Sequence, residues 1–190
     1  TGYENILLLV SKAFLESDSG EPPQVDLGDL ARCHEDVIAL TGGPRGPVGR
    51  LLAEGQGPAA EETLVRLARI YEGRLYVELM RHGLEIEQRI ESDLIDLAYR
   101  HDLPLVATNE AFFADEGMYE AHDALLCISE GVPLSKQERR RVTPDHRFKS
   151  AEEMRFLFAD LPEAINNSLV IARRCAFMPD TRDPILPVYP

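Results

Sequence analysis

Tyr3, Ile6, Leu7, Val10 and Phe14 recur at helical spacing and predict an amphipathic helix over residues 3–14. Residues 17–29 (SDSGEPPQVDLGD) lose that period where Gly and two prolines interrupt it, and read as loop. Asp36 to Thr41 is a short apolar run stopped by Gly42-Gly43-Pro44, the pattern of a buried strand. Leu64, Leu67, Ala68 and Tyr71 then make a helical face after the break at Gly57-Pro58. Leu75 to Leu79 is a second strand. Ile86, Ile90, Leu94, Leu97 and Ala98 form another helical face, and Leu105 to Thr108 is a third strand introduced by Pro104. Strand, helix, strand, helix, strand at this spacing predicts βαβαβ with parallel strands. Three strands do not close a barrel, so the sequence reads as the later part of a larger α/β domain.

The alternation ends there. Residues 118–130 suit a helix, and 131–149 (GVPLSKQERRRVTPDHRFK) suit an exposed loop. Residues 150–175 suit two helices broken before Pro162, the first opened by a capping box of Ser150 and Glu153. The tail DPILPVYP should be extended, because three of its eight residues are proline. These elements divide the chain into an α/β part (1–130), a basic loop (131–149), a helical segment (150–178) and an extended linker (179–190).

Composition narrows the function classes. The 190 residues hold 33 acidic and 20 basic side chains, a net charge of -13. A surface this acidic repels phosphate backbones as a whole. The charge is uneven, with 25 acidic and 10 basic side chains in residues 1–130 but 8 and 10 in the rest. No apolar run approaches the length that crosses a bilayer, so no membrane role is expected. Thr1 is not an initiator, and the chain is expected to be an excised piece. Cys33, Cys127 and Cys175 are odd in number and widely spaced. They fit buried thiols in a reducing cytoplasm better than a disulfide framework or zinc knuckle.

Functional groups of parallel α/β folds collect at the carboxyl ends of the strands. Arg45, Glu78, Arg81, His82, Asn109 and Glu110 could share that rim. One histidine and two carboxylates could contribute to a metal site; the plainer reading is an ion-paired network that holds loops in place. Glu78 either points into the barrel or pairs with Arg81. TGGPRGP matches no phosphate-binding motif and reads as a tight turn. The adjacent pairs His101-Asp102 and His122-Asp123 are weak metal-ligand candidates, and His34 and His146 fall in apparent loops. Arg139-Arg140-Arg141, with Lys136, Arg147 and Lys149, is the one basic cluster; it reads as a solvated loop or a contact to DNA phosphates or an acidic partner.

An ordered series of segments goes further. TGYENILLLVSKAF, VIALTGGPRGPVGRLLAEG, LYVELMRHG, LPLVATNEAFFA, YEAHDALLCISEG, FKSAEEMRFLFADLPEAINNSLVIARRCAF and PILPVYP closely resemble the polymerase-and-histidinol-phosphatase (PHP) domain of bacterial DNA polymerase III alpha subunits. VATNE, AHDALLCI and FADLPEAINNSLVIARRC are the most specific of these. The resemblance implies a distorted seven-stranded β/α barrel, here without its first strands and their histidine-rich metal motif. It also implies a polymerase palm beyond Pro190. Metal-binding relatives carry Cys in the turn after the first strand here, and Asp and His two residues apart after Thr-Asn. This chain has Gly43, Glu110 and Phe112 at those positions, so the resemblance implies a decayed metal site. No catalytic residue, metal or cofactor is then expected within these residues; magnesium would serve the parent polymerase. The implied role is a scaffold in a replicative enzyme that docks the proofreading exonuclease and other holoenzyme subunits, with DNA bound by the rest of the parent chain. Glu78, Arg81, His82, Asn109 and Glu110 would be a partner-binding or vestigial rim. The alternatives are an active metal phosphoesterase or proofreading nuclease, or an independent interaction module.

Overall fold

The computed structural model describes residues 1–18 and 20–181. Three parallel strands, β1 (Ala39–Leu40), β2 (Leu75–Met80) and β3 (Leu105–Thr108), lie in the order β1-β2-β3. Ala39 is opposite Leu75, and Val77 is opposite Leu105. Helices α1 (Gly2–Glu16) and α2 (Leu27–Arg32) precede the sheet; α3 (Pro47–Ala53) and α4 (Gly57–Ile70) connect β1 to β2, and α5 (Glu85–Arg100) connects β2 to β3. After the sheet come α6 (Tyr119–Glu130), α7 (Ala151–Leu157) and α8 (Pro162–Arg174). The expected βαβαβ order and parallel pairing are present. The described sheet has three strands and is not a closed barrel.

Alternation along β2 and β3 sorts the two faces. Leu75, Val77, Leu79, Leu105 and Ala107 point into a helix-covered core with Leu64, Leu67, Ile90, Leu94 and Leu97. Glu78 and Thr108 point to the other face, towards the rim. Helix α8 packs along β3, and Asn167 Nδ2 donates to the Leu105 carbonyl at 2.7 Å. An outward-facing acceptor of that strand is thereby satisfied. Helix ends follow local rules: Asp26 and Asp29 cap α2 reciprocally, Pro47 opens α3, and Ser150 and Glu153 form the expected capping box on α7.

Several expectations are corrected. The strand predicted over 36–41 is paired only at Ala39–Leu40. Asp36 takes a left-handed conformation (φ 56°), and Arg74 takes the carbonyls of His34 and Val37 that a longer strand would have presented. The 17–29 loop contains the start of α2, whose six residues are too short for a periodic signal. Among the thiols, Cys127 is buried and Cys33 partly so, but Cys175 is exposed. The 131–149 segment is exposed over most of its length, including 133–138, Arg140 and Arg141, but His146 and Lys149 are buried against the rim. Residues 182–190, most of the expected extended tail, lie outside the described residues. Among the described residues, no helix is long and apolar enough to cross a membrane.

Candidate functional site

The three strands deliver their carboxyl ends to one rim, and Glu78 ties those ends together. Its side chain leaves β2 on the rim face and is only 6% exposed. Oε2 accepts from Gly42 N–H at 3.0 Å, beyond β1, and Oε1 accepts from Thr108 Oγ1 at 2.7 Å, on β3. Thr41 Oγ1 in turn accepts from Glu78 N–H at 2.9 Å. Glu78 therefore does not pair with Arg81. A buried carboxylate saturated by donors from both neighbouring strands is a structural tie.

The turn beside it explains its glycines. Gly42 has φ +82° and Gly43 φ +52°, conformations that favour glycine. A Cβ on Gly46 would lie 1.8 Å from the Thr41 carbonyl oxygen. TGGPRGP is thus a close-packed turn, a short 3-10 segment at Gly43–Arg45, leading into α3.

His82 is 1% exposed and is the hub of a second network. Its Nδ1 is 2.7 Å from Glu87 Oε1, and its backbone N–H donates to Glu87 Oε2 at 2.6 Å. Its Nε2 accepts from Glu110 N–H at 3.2 Å, which assigns the ring proton to Nδ1. Burial alone would raise the Glu87 carboxyl, but hydrogen bonds from His82 and Leu84 outweigh it and hold the group below the usual range. The His82 ring stacks on His146, with centroids 4.1 Å apart. Phe112 continues the stack to His146 and His122 at 5.5 and 5.4 Å. Burial and the neighbouring His82 push the His146 imidazole down, favouring its neutral form.

The 143–149 stretch is drawn onto this column. Thr143 Oγ1 donates to the His82 carbonyl at 2.6 Å, Phe112 N–H to the His146 carbonyl at 2.8 Å, and Phe148 N–H to the Phe113 carbonyl at 2.9 Å. Asn109 Nδ2 donates to the Arg147 carbonyl at 2.8 Å, while its Oδ1 accepts from Lys149 Nζ at 3.1 Å. Burial pushes the Lys149 ammonium down. Glu110 pairs with Arg45 across the mouth of the rim.

Arg81 does not join this rim. It turns to the other side of β2, bidentate to Glu91 and Asp160, donating to the Leu157 carbonyl and lying 4.5 Å over the Phe158 ring. Those two carboxylates, Asp160 foremost, raise its pKa further. A cleft of about 410 Å³ lies on that side, lined by Arg81, Gly83, Gln88, Glu91, Asp145 and Leu157 among others.

Of the three positions that the sequence resemblance relates to metal ligands, Gly43 has no side chain and Phe112 offers a hydrocarbon ring stacked between two imidazoles. Glu110 alone has donor oxygens, and it is engaged by Arg45. These residues do not fit a metal ion. Among the described residues, no group of three or more His, Cys, Asp or Glu side chains could hold one. His101 pairs with Glu61 at 2.8 Å, and Asp123 binds Arg139, so neither His-Asp pair acts as a unit.

The sequence pattern missed Glu87, Thr143 and His146 as members of the rim. Glu87 lay within reach of inference, because it falls in the first turn of a helix five residues after His82. The others meet the rim only through long-range packing.

The family model described as "PHP domain" matches residues 1–82, the first two strands and the start of this rim. More particularly, the whole chain aligns with DNA polymerase III alpha subunits, which bears out the resemblance read from the sequence. It is 53% identical over 189 residues to "DNA polymerase III subunit alpha" of Caulobacter vibrioides, 41% to that of Rickettsia bellii and 35% to that of Escherichia coli K12. Each alignment covers 100% of this chain and 16% of the relative. The chain thus spans about a sixth of the length of these relatives.

Proposed function

We propose that this chain is the later part of the PHP barrel of a replicative DNA polymerase III alpha subunit, and that it works as a metal-free scaffold. In this reading polymerisation, and the magnesium it uses, belong to the rest of the parent enzyme. The rim presents a docking surface to the proofreading exonuclease subunit, alongside other holoenzyme subunits. One observation supports the silent-site part: the Phe112 ring, at a position that the sequence resemblance relates to a ligand, stacks between His146 and His122. The remaining rim groups are consumed by internal bonds, so loading a metal would require breaking the Glu110–Arg45 pair without supplying a second ligand there.

The test uses the full-length enzyme. Metal analysis should find no stoichiometric zinc or manganese that depends on Glu110, and manganese-supported hydrolysis of a phosphoester or a 3′ DNA end should be absent. Hydrolysis abolished by Glu110→Ala would overturn the silent site and support a metal phosphoesterase. For docking, Arg45→Glu reverses an exposed rim charge and should weaken calorimetric binding of the exonuclease about tenfold. Unchanged binding would remove the rim from that interface.

A further inference from the structure

The basic run 136–141 is held in place rather than left as a free tail. At its start, Gly131 (φ 64°) ends α6, and Val132 N–H donates to the Cys127 carbonyl at 3.0 Å. Lys136 N–H closes a turn onto the Pro133 carbonyl at 3.0 Å. In the middle, the Arg139 side chain is 2% exposed and grips both oxygens of Asp123 on α6. At its far end Thr143 is bonded to His82. Arg139 is therefore an internal anchor, and it fixes the backbone on which its neighbours stand.

Those neighbours are Lys136, Arg140 and Arg141, all exposed. Among the described residues none of the three makes an ion pair, although the chain holds 33 carboxylates and a net charge of -13. Three cations concentrated on one fixed loop of an otherwise acidic surface make a local positive site. At ~3.3 Å per residue the run reaches at most about 17 Å, enough to meet several phosphates spaced ~3.4 Å along each strand of a duplex.

We propose that this tip is a nucleic-acid contact, in which Lys136, Arg140 and Arg141 hold the phosphate backbone of duplex DNA. The choice of DNA rests on the polymerase reading above. The contact is sequence-independent, since phosphate contacts position a duplex and carry no base information. It makes this domain a direct participant in holding the template, in addition to docking a protein subunit. Because the loop is already tethered, little ordering cost opposes binding.

The experiment is fluorescence anisotropy of a primed duplex with the full-length enzyme, at salt between 50 and 200 mM, with primer extension run in parallel. Lys136→Gln/Arg140→Gln/Arg141→Gln removes three phosphate contacts and should make the log–log salt slope shallower by about 2.7, roughly a 40-fold difference across that range. The charge-keeping triple, Lys136→Arg/Arg140→Lys/Arg141→Lys, should retain the wild-type slope. Equal slopes for wild type and the glutamine triple would overturn the proposal while leaving the polymerase reading standing. A triple that binds DNA normally but loses a poly-glutamate probe would also overturn it, in favour of an acidic protein surface. Wild-type enzyme that neither binds nor extends the primed duplex would overturn the polymerase reading and this contact together.

Discussion

Glu78→Ala tests whether the rim is a tie between strands. The carboxylate accepts from Gly42 N–H and Thr108 Oγ1 and is almost fully buried. Removing it leaves a backbone donor and a hydroxyl without their charged acceptor, each at about 1.5–3 kcal/mol. The expected destabilisation is therefore about 3–6 kcal/mol, at the severe end for a single substitution. Glu78→Gln keeps one acceptor oxygen but turns an amide N–H₂ towards a donor, and should cost about 1.5–3 kcal/mol. Adding Thr108→Val to Glu78→Ala should cost less than the sum of the single changes, because the orphaned hydroxyl disappears. The assay is urea unfolding followed by far-UV circular dichroism, as the chain has no tryptophan. A Glu78→Ala cost under about 1 kcal/mol, with Glu78→Gln no milder, would refute the tie. A wild-type midpoint lowered by a chelator would show instead that the carboxylate's contribution includes a bound metal.

Two further predictions follow from the same geometry. Gly46→Ala places a Cβ within 1.8 Å of the Thr41 carbonyl oxygen and should cost more than about 3 kcal/mol or abolish cooperative unfolding; a normal melting curve would refute the turn. Acid should loosen the stacked column in two stages. The His146 pKa is depressed, so its contribution is full above the ordinary value of 6.5 and declines as pH falls below it. The Glu87 pKa is depressed as well, so its contribution declines only below 4.5. Urea midpoints should therefore drop between pH 7.5 and 5.5 in the wild type and drop less in His146→Phe. Parallel pH profiles for the two proteins would contradict this assignment.

What the sequence made legible divides along a physical line. Elements whose information is local were readable: the helical face Ile86-Ile90-Leu94-Leu97, the strand Leu75–Leu79, and the Ser150–Glu153 capping box all declare themselves within a few residues. The carboxyl ends of the strands were readable too, because topology alone places Glu78, His82 and Glu110 there. Which partners those side chains choose was not readable. Glu78 bonds Gly42, 36 residues away, and Arg81 bonds Asp160, 79 residues away. Arg81 follows Glu78 by three positions at the end of a strand, and alternation sends the two to opposite faces, so of the two alternatives open for Glu78 the pairing with Arg81 fails on strand geometry. Three positions of the otherwise exposed 131–149 loop depart from expectation for the converse reason. Its composition is that of a solvated segment, yet His146 and Lys149 bury polar groups against the rim, and Arg139 buries its guanidinium against Asp123 on α6. A buried cation or imidazole is stable only where donors and acceptors are matched, and matching is a property of the assembled fold. The charge run therefore contains two kinds of arginine that no local pattern distinguishes: Arg139 facing Asp123, and Arg140 and Arg141 facing solvent. That division, made by tertiary packing, turns an anonymous basic stretch into an anchored surface with its free charges directed outward.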